Sequence, residues 1–228
     1  MKKTLVVMGN GPSLKNVDLS IFDDCDTFGL NNAYRNYAKI NWYPTYHGSF
    51  DYVAVDSHKQ ELNKLIESGK IQRHFYIRNI SNNPRFTFIN LLRFGCTKIN
   101  STPEDFSSFC DTGNSGTNAC SVGICLGYKK IVLIGVDCNY VEIVDGAKFV
   151  SNGNLVMSKT PDNNPNYWFD DYQQEGDRYQ IPRCQEFMIP TWERFAVVAE
   201  TLGIEIINAS PISVLKNYKK MSLEEAIK

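Results

Sequence analysis

At 228 residues, with 43% hydrophobic and 12% aromatic side chains, the chain has globular composition and enough length for a buried core, which excludes disorder. Its 24 Lys and Arg against 25 Asp and Glu leave a net charge of -1, and without a basic excess a broad nucleic-acid surface is excluded too. No apolar stretch reaches membrane-spanning length, so membrane contact would be peripheral. Seven cysteines (Cys25, Cys96, Cys110, Cys120, Cys125, Cys138 and Cys184) form no CxxC pair, and several lie inside apolar runs. They read as reduced, buried thiols of a cytoplasmic protein rather than as disulfides or a zinc site.

In chain order, Thr4–Met8 is a short apolar run, the pattern of a strand covered on both faces. A glycine turn follows, with Ser13 as a cap for a short helical turn. Thr27–Leu30 predicts a second strand ending at Asn31 and Asn32. Tyr43–Tyr46 and Tyr52–Val55 predict two more, the latter ending at Asp56. Ser57–Ser68 has helical composition, with Leu62, Leu65 and Ile66 on one face and Gly69 as a stop. Phe75–Ile77 predicts a strand. Ser81–Asp111 has little periodicity and reads as irregular, with a helix near Phe86–Phe94.

Ser115–Leu126 predicts a helix of small and apolar residues, able to approach a sheet closely. Ile131–Gly135 follows as the strongest strand in the chain. That helix, turn and strand are half of a parallel βαβ unit. Residues 145–183 are polar and too long for a simple connector, which suits a lid. Pro190–Leu202 predicts a helix with Trp192, Phe195, Ala196 and Ala199 inward, then a final strand at Ile204–Asn208 and a terminal helix at Ser222–Ile227. The predicted fold is α/β: one Rossmann-like domain over 1–228, its mainly parallel sheet flanked by helices, with a lid or acceptor insertion at about 145–183.

Five segments could carry chemistry. Gly9-Asn10-Gly11-Pro12-Ser13-Leu14 follows a strand, and its backbone N–H groups would suit a phosphate. It lacks the third glycine of the dinucleotide fingerprint and the lysine of a P-loop, and it also reads as an ordinary tight turn. Asn31 and Asn32 stand at a strand's carboxyl end, where ligands gather in doubly wound sheets; a turn pair is the plainer reading. Thr112–Thr117, with Asn114, Ser115 and Gly116, offers a helix N-terminus, or simply a cap. Gly135 and Asp137, with Tyr140 behind them, end the strongest strand. Such an Asp accepts from a ribose hydroxyl, contacts a metal or caps a loop. Asn163–Tyr172 places aromatic rings beside Asp170 and Asp171, a pattern that suits a sugar and a general base, or an aromatic-anchored surface loop. His47, His58 and His74 are scattered, with His58 expected on an exposed helix face.

The GNGPSL turn, the NSG before a helix and the LGYKKIVLIGVD stretch resemble bacterial sialyltransferases of the Campylobacter-type α-2,3/α-2,8 family. The same core is similar to a broader superfamily that includes motility-accessory glycosyltransferases and archaeal 6-hydroxymethylpterin pyrophosphokinases (MptE-like). The resemblance implies a Rossmann-like domain and a CMP-sugar donor with no obligatory metal cofactor. It implies that Asn10 and Gly11, with Pro12 and Ser13 in the same turn, meet the nucleotide phosphates and ribose. It sets Asn31, beside Asn32, on the family's asparagine after the second strand, and Asp56 in place of another donor-contacting asparagine. Asn114, Ser115 and Gly116 would meet the sugar carboxylate and phosphate, and Gly135 and Asp137 the cytidine ribose.

One departure stands out. The family's catalytic His precedes the last long helix, and this chain has no His between Asp145 and Ile204. The expected catalytic residues therefore become Asp170 and Asp171, as base or covalent nucleophile. The family's phosphate-binding tyrosine pair would be replaced from Tyr140, Tyr167, Tyr172 and Tyr179.

The expected function is a glycosyltransferase moving a sialic acid or Kdo-type sugar from a CMP-activated donor to a surface-glycan acceptor. Its partners would be the nucleotide sugar and the glycan. Alternatives are an ATP-dependent, Mg²⁺-requiring pyrophosphokinase and a non-catalytic nucleotide- or glycan-binding relative. Exposed lid aromatics leave a homo-oligomer open, and a peripheral place at the inner face of the membrane stays open as well.

Overall fold

A computed structural model describes residues 2–94, 100–151 and 153–228. Eight strands form the main sheet: β1 (Thr4–Met8), β2 (Asp26–Leu30), β3 (Tyr46–Ser49), β4 (Arg73–Tyr76), β5 (Phe86–Phe88), β8 (Lys130–Ile134), β12 (Glu205–Asn208) and β13 (Lys219–Lys220). β6 (Leu91–Phe94) and β7 (Phe109–Asp111) pair with each other, while β9 (Ala147–Ser151), β10 (Asn154–Met157) and β11 (Arg178–Gln180) form a small antiparallel sheet. The main order is β13-β12-β8-β1-β2-β3-β4-β5, and every pairing in it is parallel. The chain runs outward from β1 through β5, then returns to the other side of β1. Strand order therefore reverses between β1 and β8, where such sheets open a ligand crevice at their carboxyl ends.

The apolar runs read as doubly covered strands are so covered. Leu5 and Val7 of β1 and Ile131 and Leu133 of β8 enter one core cluster. Val6, Met8, Val132 and Ile134 enter the other. The first core is closed by α4 (Ser115–Cys125) and α5 (Ile189–Thr201), through Ala119, Val122, Trp192, Phe195 and Ala199. α3 (Lys59–Glu67) adds Leu62 and Ile66. The second core is closed by Leu14, Phe22 and Trp168, with Ala226 from α6 (Leu223–Ala226). Among the described residues no helix is long and apolar enough to cross a membrane.

Several expectations shift. β3 begins at Tyr46, where the predicted strand would end. Tyr52–Val55 is not a strand: it lies in α2 (Tyr52–Ser57), because the Asp51 carboxylate accepts from Val53 N (2.8 Å) and Ala54 N (3.3 Å) and starts a helix. Phe86–Phe94 holds β5 and β6 instead of a helix. β12 is followed by β13, so it is not the last strand. Ser13 does not cap its one-turn helix; Gly11 stands at that position. Six cysteines are buried, and Cys96 lies outside the described residues.

At the switch point two glycines let the strand ends meet. Gly9 N donates to Ile134 O (2.7 Å) and Gly11 N to Gly135 O (2.8 Å). A Cβ on Gly9 would collide with the Gly135 carbonyl, and Gly135 has φ +63°. Gly9→Ala is expected to cost about 2–3 kcal/mol, because backbone cannot swing aside as a side chain can. A lower urea midpoint at unchanged slope is the measurement.

Candidate functional site

A cavity of about 480 Å³ lies over the carboxyl ends of β1, β2, β3 and β8. Its polar wall holds Asn10 after β1, Asn31 and Asn32 after β2, Asp51 after β3, and Gly135 and Asp137 after β8. The start of α4 adds Asn114, Ser115 and Gly116. Opposite lie Tyr140, Tyr167 and Tyr172, with Asp177 and Arg178. Phe50, Leu92, Ile181, Phe187, Met188 and Trp192 make an apolar side. Residues 145–183, expected to be a lid, thus supply part of the wall and carry the antiparallel β9–β11 sheet.

The glycine turn is arranged differently from a phosphate cradle. Gly9 N and Gly11 N are spent on the β8 end, and Pro12 has no N–H. Ser13 N (3.0 Å) and Ser13 Oγ (2.6 Å) both donate to the Asp137 carboxylate, which packs where a Gly11 side chain would stand. Gly11, Pro12 and Ser13 therefore brace the floor and do not line the cavity. Asp137, 2% exposed, is first a partner of that turn.

The polar groups not used up by the floor belong to side chains. Asn10 Nδ2 donates to Leu30 O (3.1 Å) and to Tyr172 Oη (3.0 Å), while its Oδ1 is buried with no hydrogen-bond partner. Asn114 caps α4 through its Oδ1, which accepts from Thr117 N (2.9 Å), and leaves its own buried Nδ2 unpartnered. An acceptor and a donor on two residues of one cavity wall thus lack partners, a costly state. Tyr172 Oη accepts from both Asn10 Nδ2 and Asn32 N (3.3 Å), so its own hydrogen remains to be donated elsewhere. Burial raises its pKa well above the ordinary value and keeps it a neutral donor. Tyr167 stacks on it at 3.8 Å between ring centroids. Gly116 serves packing, since a Cβ there would strike Trp192.

Three more predicted residues lie outside. Asp56 is exposed on α2 and pairs with Arg78 (2.7 Å). Asp170 and Asp171 do not line the cavity: in their one-turn helix Tyr172 faces in, which turns the acids out. Asp171 pairs with Lys39 at 2.5 Å, and Asp170 is exposed.

The acids that do line the cavity escaped the sequence reading: Asp51, Asp111 and Asp177, besides Asp137. Asp51 had one signal, an acid two residues before an apolar N–H donor at a helix start. Asp177 had none. It is gripped by Arg35 through both carboxylate oxygens, one at 2.9 Å, and Arg35 also donates to Tyr172 O (2.9 Å). Arg35 belongs to α1 (Tyr34–Tyr37), so this pair fastens the lid to the main sheet. His58, expected on an exposed face, is 3% exposed behind the pair, with Asn32 Nδ2 at 3.1 Å from its Nε2 and Tyr34 Oη at 3.2 Å from its Nδ1. Burial lowers its pKa most, Arg35 adds to this, and Asp177 opposes it. Among the described residues no three metal-ligating side chains gather.

No family model matches the chain, and no curated protein matches it. Solved structures do. The sialyltransferase CstII from Campylobacter jejuni in complex with cytidine-5'-monophosphate aligns with a TM-score of 0.54 at 19% identity, over 97% of this chain and 86% of that one. The same enzyme from Campylobacter jejuni with CMP-3FNeuAc gives 0.56 at 18%, over 98% and 87%. A sialyltransferase CST-II complex with a trisaccharide acceptor and CMP gives 0.55 at 19%, over 97% and 87%. At this identity the shared property is the fold, and it runs along nearly the whole chain.

Arg35→Met would strand the Asp177 charge in a buried place, since the two side chains are only 13% and 9% exposed. A loss of about 3–5 kcal/mol is expected, with faster amide exchange across residues 172–180 as the local reading.

Proposed function

We propose that the chain is a glycosyltransferase that takes its sugar from a CMP-activated donor held in this cavity. The supporting observation is the pair of unpartnered amide groups, Asn10 Oδ1 and Asn114 Nδ2, in one wall over the sheet's switch point. The fold is shared with enzymes solved with CMP, a CMP-sugar analogue and a trisaccharide acceptor, which favours this class over others. A nonulosonic sugar of the sialic acid or Kdo kind and a surface-glycan acceptor are the finer reading.

In this reading the CMP phosphate leaves against the Tyr172 hydroxyl and the first-turn N–H groups of α4, both preorganised donors for developing negative charge. No metal is required of the reading. The base is Asp51 instead of Asp170 or Asp171. Asp137 and Asp177 have donors or a guanidinium on both oxygens. Asp111 is held by Gly113 N and Asn118 Nδ2 at 2.9 Å each, at the positive end of α4. Asp51, like Asp111, engages only its Oδ1, but burial raises the Asp51 pKa above 3.8, which suits it to accept a proton. It takes the acceptor hydroxyl proton as that oxygen attacks the anomeric carbon, and the bonding pair leaves with CMP.

Two measurements test this. CMP without metal should raise the melting temperature, as any ligand of the folded state must. Stabilisation by ATP only with Mg²⁺ would replace the reading with phosphoryl transfer. Asp51→Asn keeps a helix cap, so it should leave CMP affinity within about threefold while kcat falls about 10²- to 10⁴-fold. The wild-type rate should be lost as pH falls through the raised Asp51 pKa, since only the carboxylate accepts the proton. Unchanged kcat in Asp51→Asn would remove Asp51 from the chemistry.

A further inference from the structure

Asn31 stands where β2 opens into the cavity, with φ +51°, a left-handed conformation that Asn tolerates and few residues adopt. Its side-chain Oδ1 accepts from Ser49 Oγ (3.0 Å) and more weakly from Ser115 Oγ (3.5 Å), which leaves the Nδ2 end for a ligand. Its main-chain oxygen lies 3.0 Å from His47 Nε2.

A carbonyl oxygen can only accept, so His47 must carry its proton on Nε2 and keep Nδ1 bare. Tyr76 Oη, 2.9 Å from that Nδ1, must then aim its hydrogen at it. The Tyr76 oxygen is free to accept in turn, and His74 Nδ1 at 3.0 Å supplies the donor. Proton positions along His74, Tyr76, His47 and Asn31 are therefore dictated one by the next. Parallel pairing of β3 with β4 sets His47 opposite His74 and Ser49 opposite Tyr76, so one register places the three rings. All three rings are 0% exposed. Burial, with help from His74, pushes His47 down to about 3, and burial pushes His74 down to about 4, so both stay neutral.

We infer that His47 is a positioning residue for the ligand cavity: it holds the left-handed backbone of Asn31, so that Asn31 Nδ2 faces the ligand, and Tyr76 and His74 lock His47 in the only tautomer able to do this. A buried network that merely satisfied core polarity would have no reason to end on a cavity residue of unusual backbone. The inference builds on the proposed CMP-sugar reading for its ligand, while the proton order does not depend on it.

The experiment uses the full chain with CMP as the probe. His47→Leu should raise the Kd for CMP about tenfold, the loss of one well-made hydrogen bond. His47→Gln, which restores a terminal amide donor, should recover to within about threefold. In an Asn31→Gly background, where the positive φ is kept and the amide removed, His47→Leu should cost under about twofold more, as two residues acting through one contact do not add. Undiminished CMP binding by folded His47→Leu, or full additivity with Asn31→Gly, overturns the inference. Should His47→Leu not fold, Tyr76→Phe carries the same comparison. In the wild type, ¹⁵N spectra should show His47 protonated at Nε2 alone, and the Asn31 side-chain amide signal should shift or broaden in Tyr76→Phe. A proton on His47 Nδ1, or an unmoved Asn31 signal, refutes the inference without any ligand. A wild-type chain that ignores CMP would refute the CMP-sugar reading only, leaving these signals to decide on His47.

Discussion

Gly9 and Gly135 approach each other so closely that neither can carry a side chain, and the shape of the cavity follows from that contact. It draws together the carboxyl ends of β1 and β8, the point at which strand order reverses. The two N–H groups that seal it, on Gly9 and Gly11, are then no longer available to a ligand. Asp137 completes the seal by holding Ser13 twice. A loop that in P-loop and Rossmann folds presents backbone donors is here a closed floor. The polar groups around it that line the cavity are amide and phenol side chains, whose geometry depends on the rigidity of that floor.

The cavity wall is unusually rich in carboxylates for a site proposed to hold an anionic donor. Each is answered locally. Asp177 is neutralised by Arg35, Asp137 by the serine turn, Asp111 by the start of α4, and Asp51 by the cap it makes on α2. Burial makes Asp51 more basic than an ordinary carboxylate. Arg35 joins this electrostatic arrangement to the lid, because its guanidinium also holds the Tyr172 carbonyl and so sets the ring that meets Asn10. Position of the lid, charge of the wall and direction of the Tyr172 hydroxyl are thus tied to one ion pair.

Where a local pattern had one outcome, the sequence could be read. β1 and β8 are apolar at every inner position because both faces are covered, and α4 is small-residued because it lies against Leu5 and Ile131. Tyr52–Val55 has strand composition yet forms a helix, since a single cap at Asp51 outweighs a weak propensity over four residues. The positions of Asp170 and Asp171 depended on which way one turn faces, and a neighbouring tyrosine decided that by stacking inside. His58 looked exposed because its helical segment carries charged neighbours, but α1 and the lid both close over it.

The sequence alone determined the central strands, the helix before β8 and the residues that could gather at the strand ends, because hydrophobic period and glycine placement act over a few residues. It could not determine which groups at those ends remain free. That was decided by the tertiary structure, since hydrogen bonds across 20 to 162 positions, such as Asn10 to Leu30 and Asn10 to Tyr172, consume some donors and leave others facing the cavity.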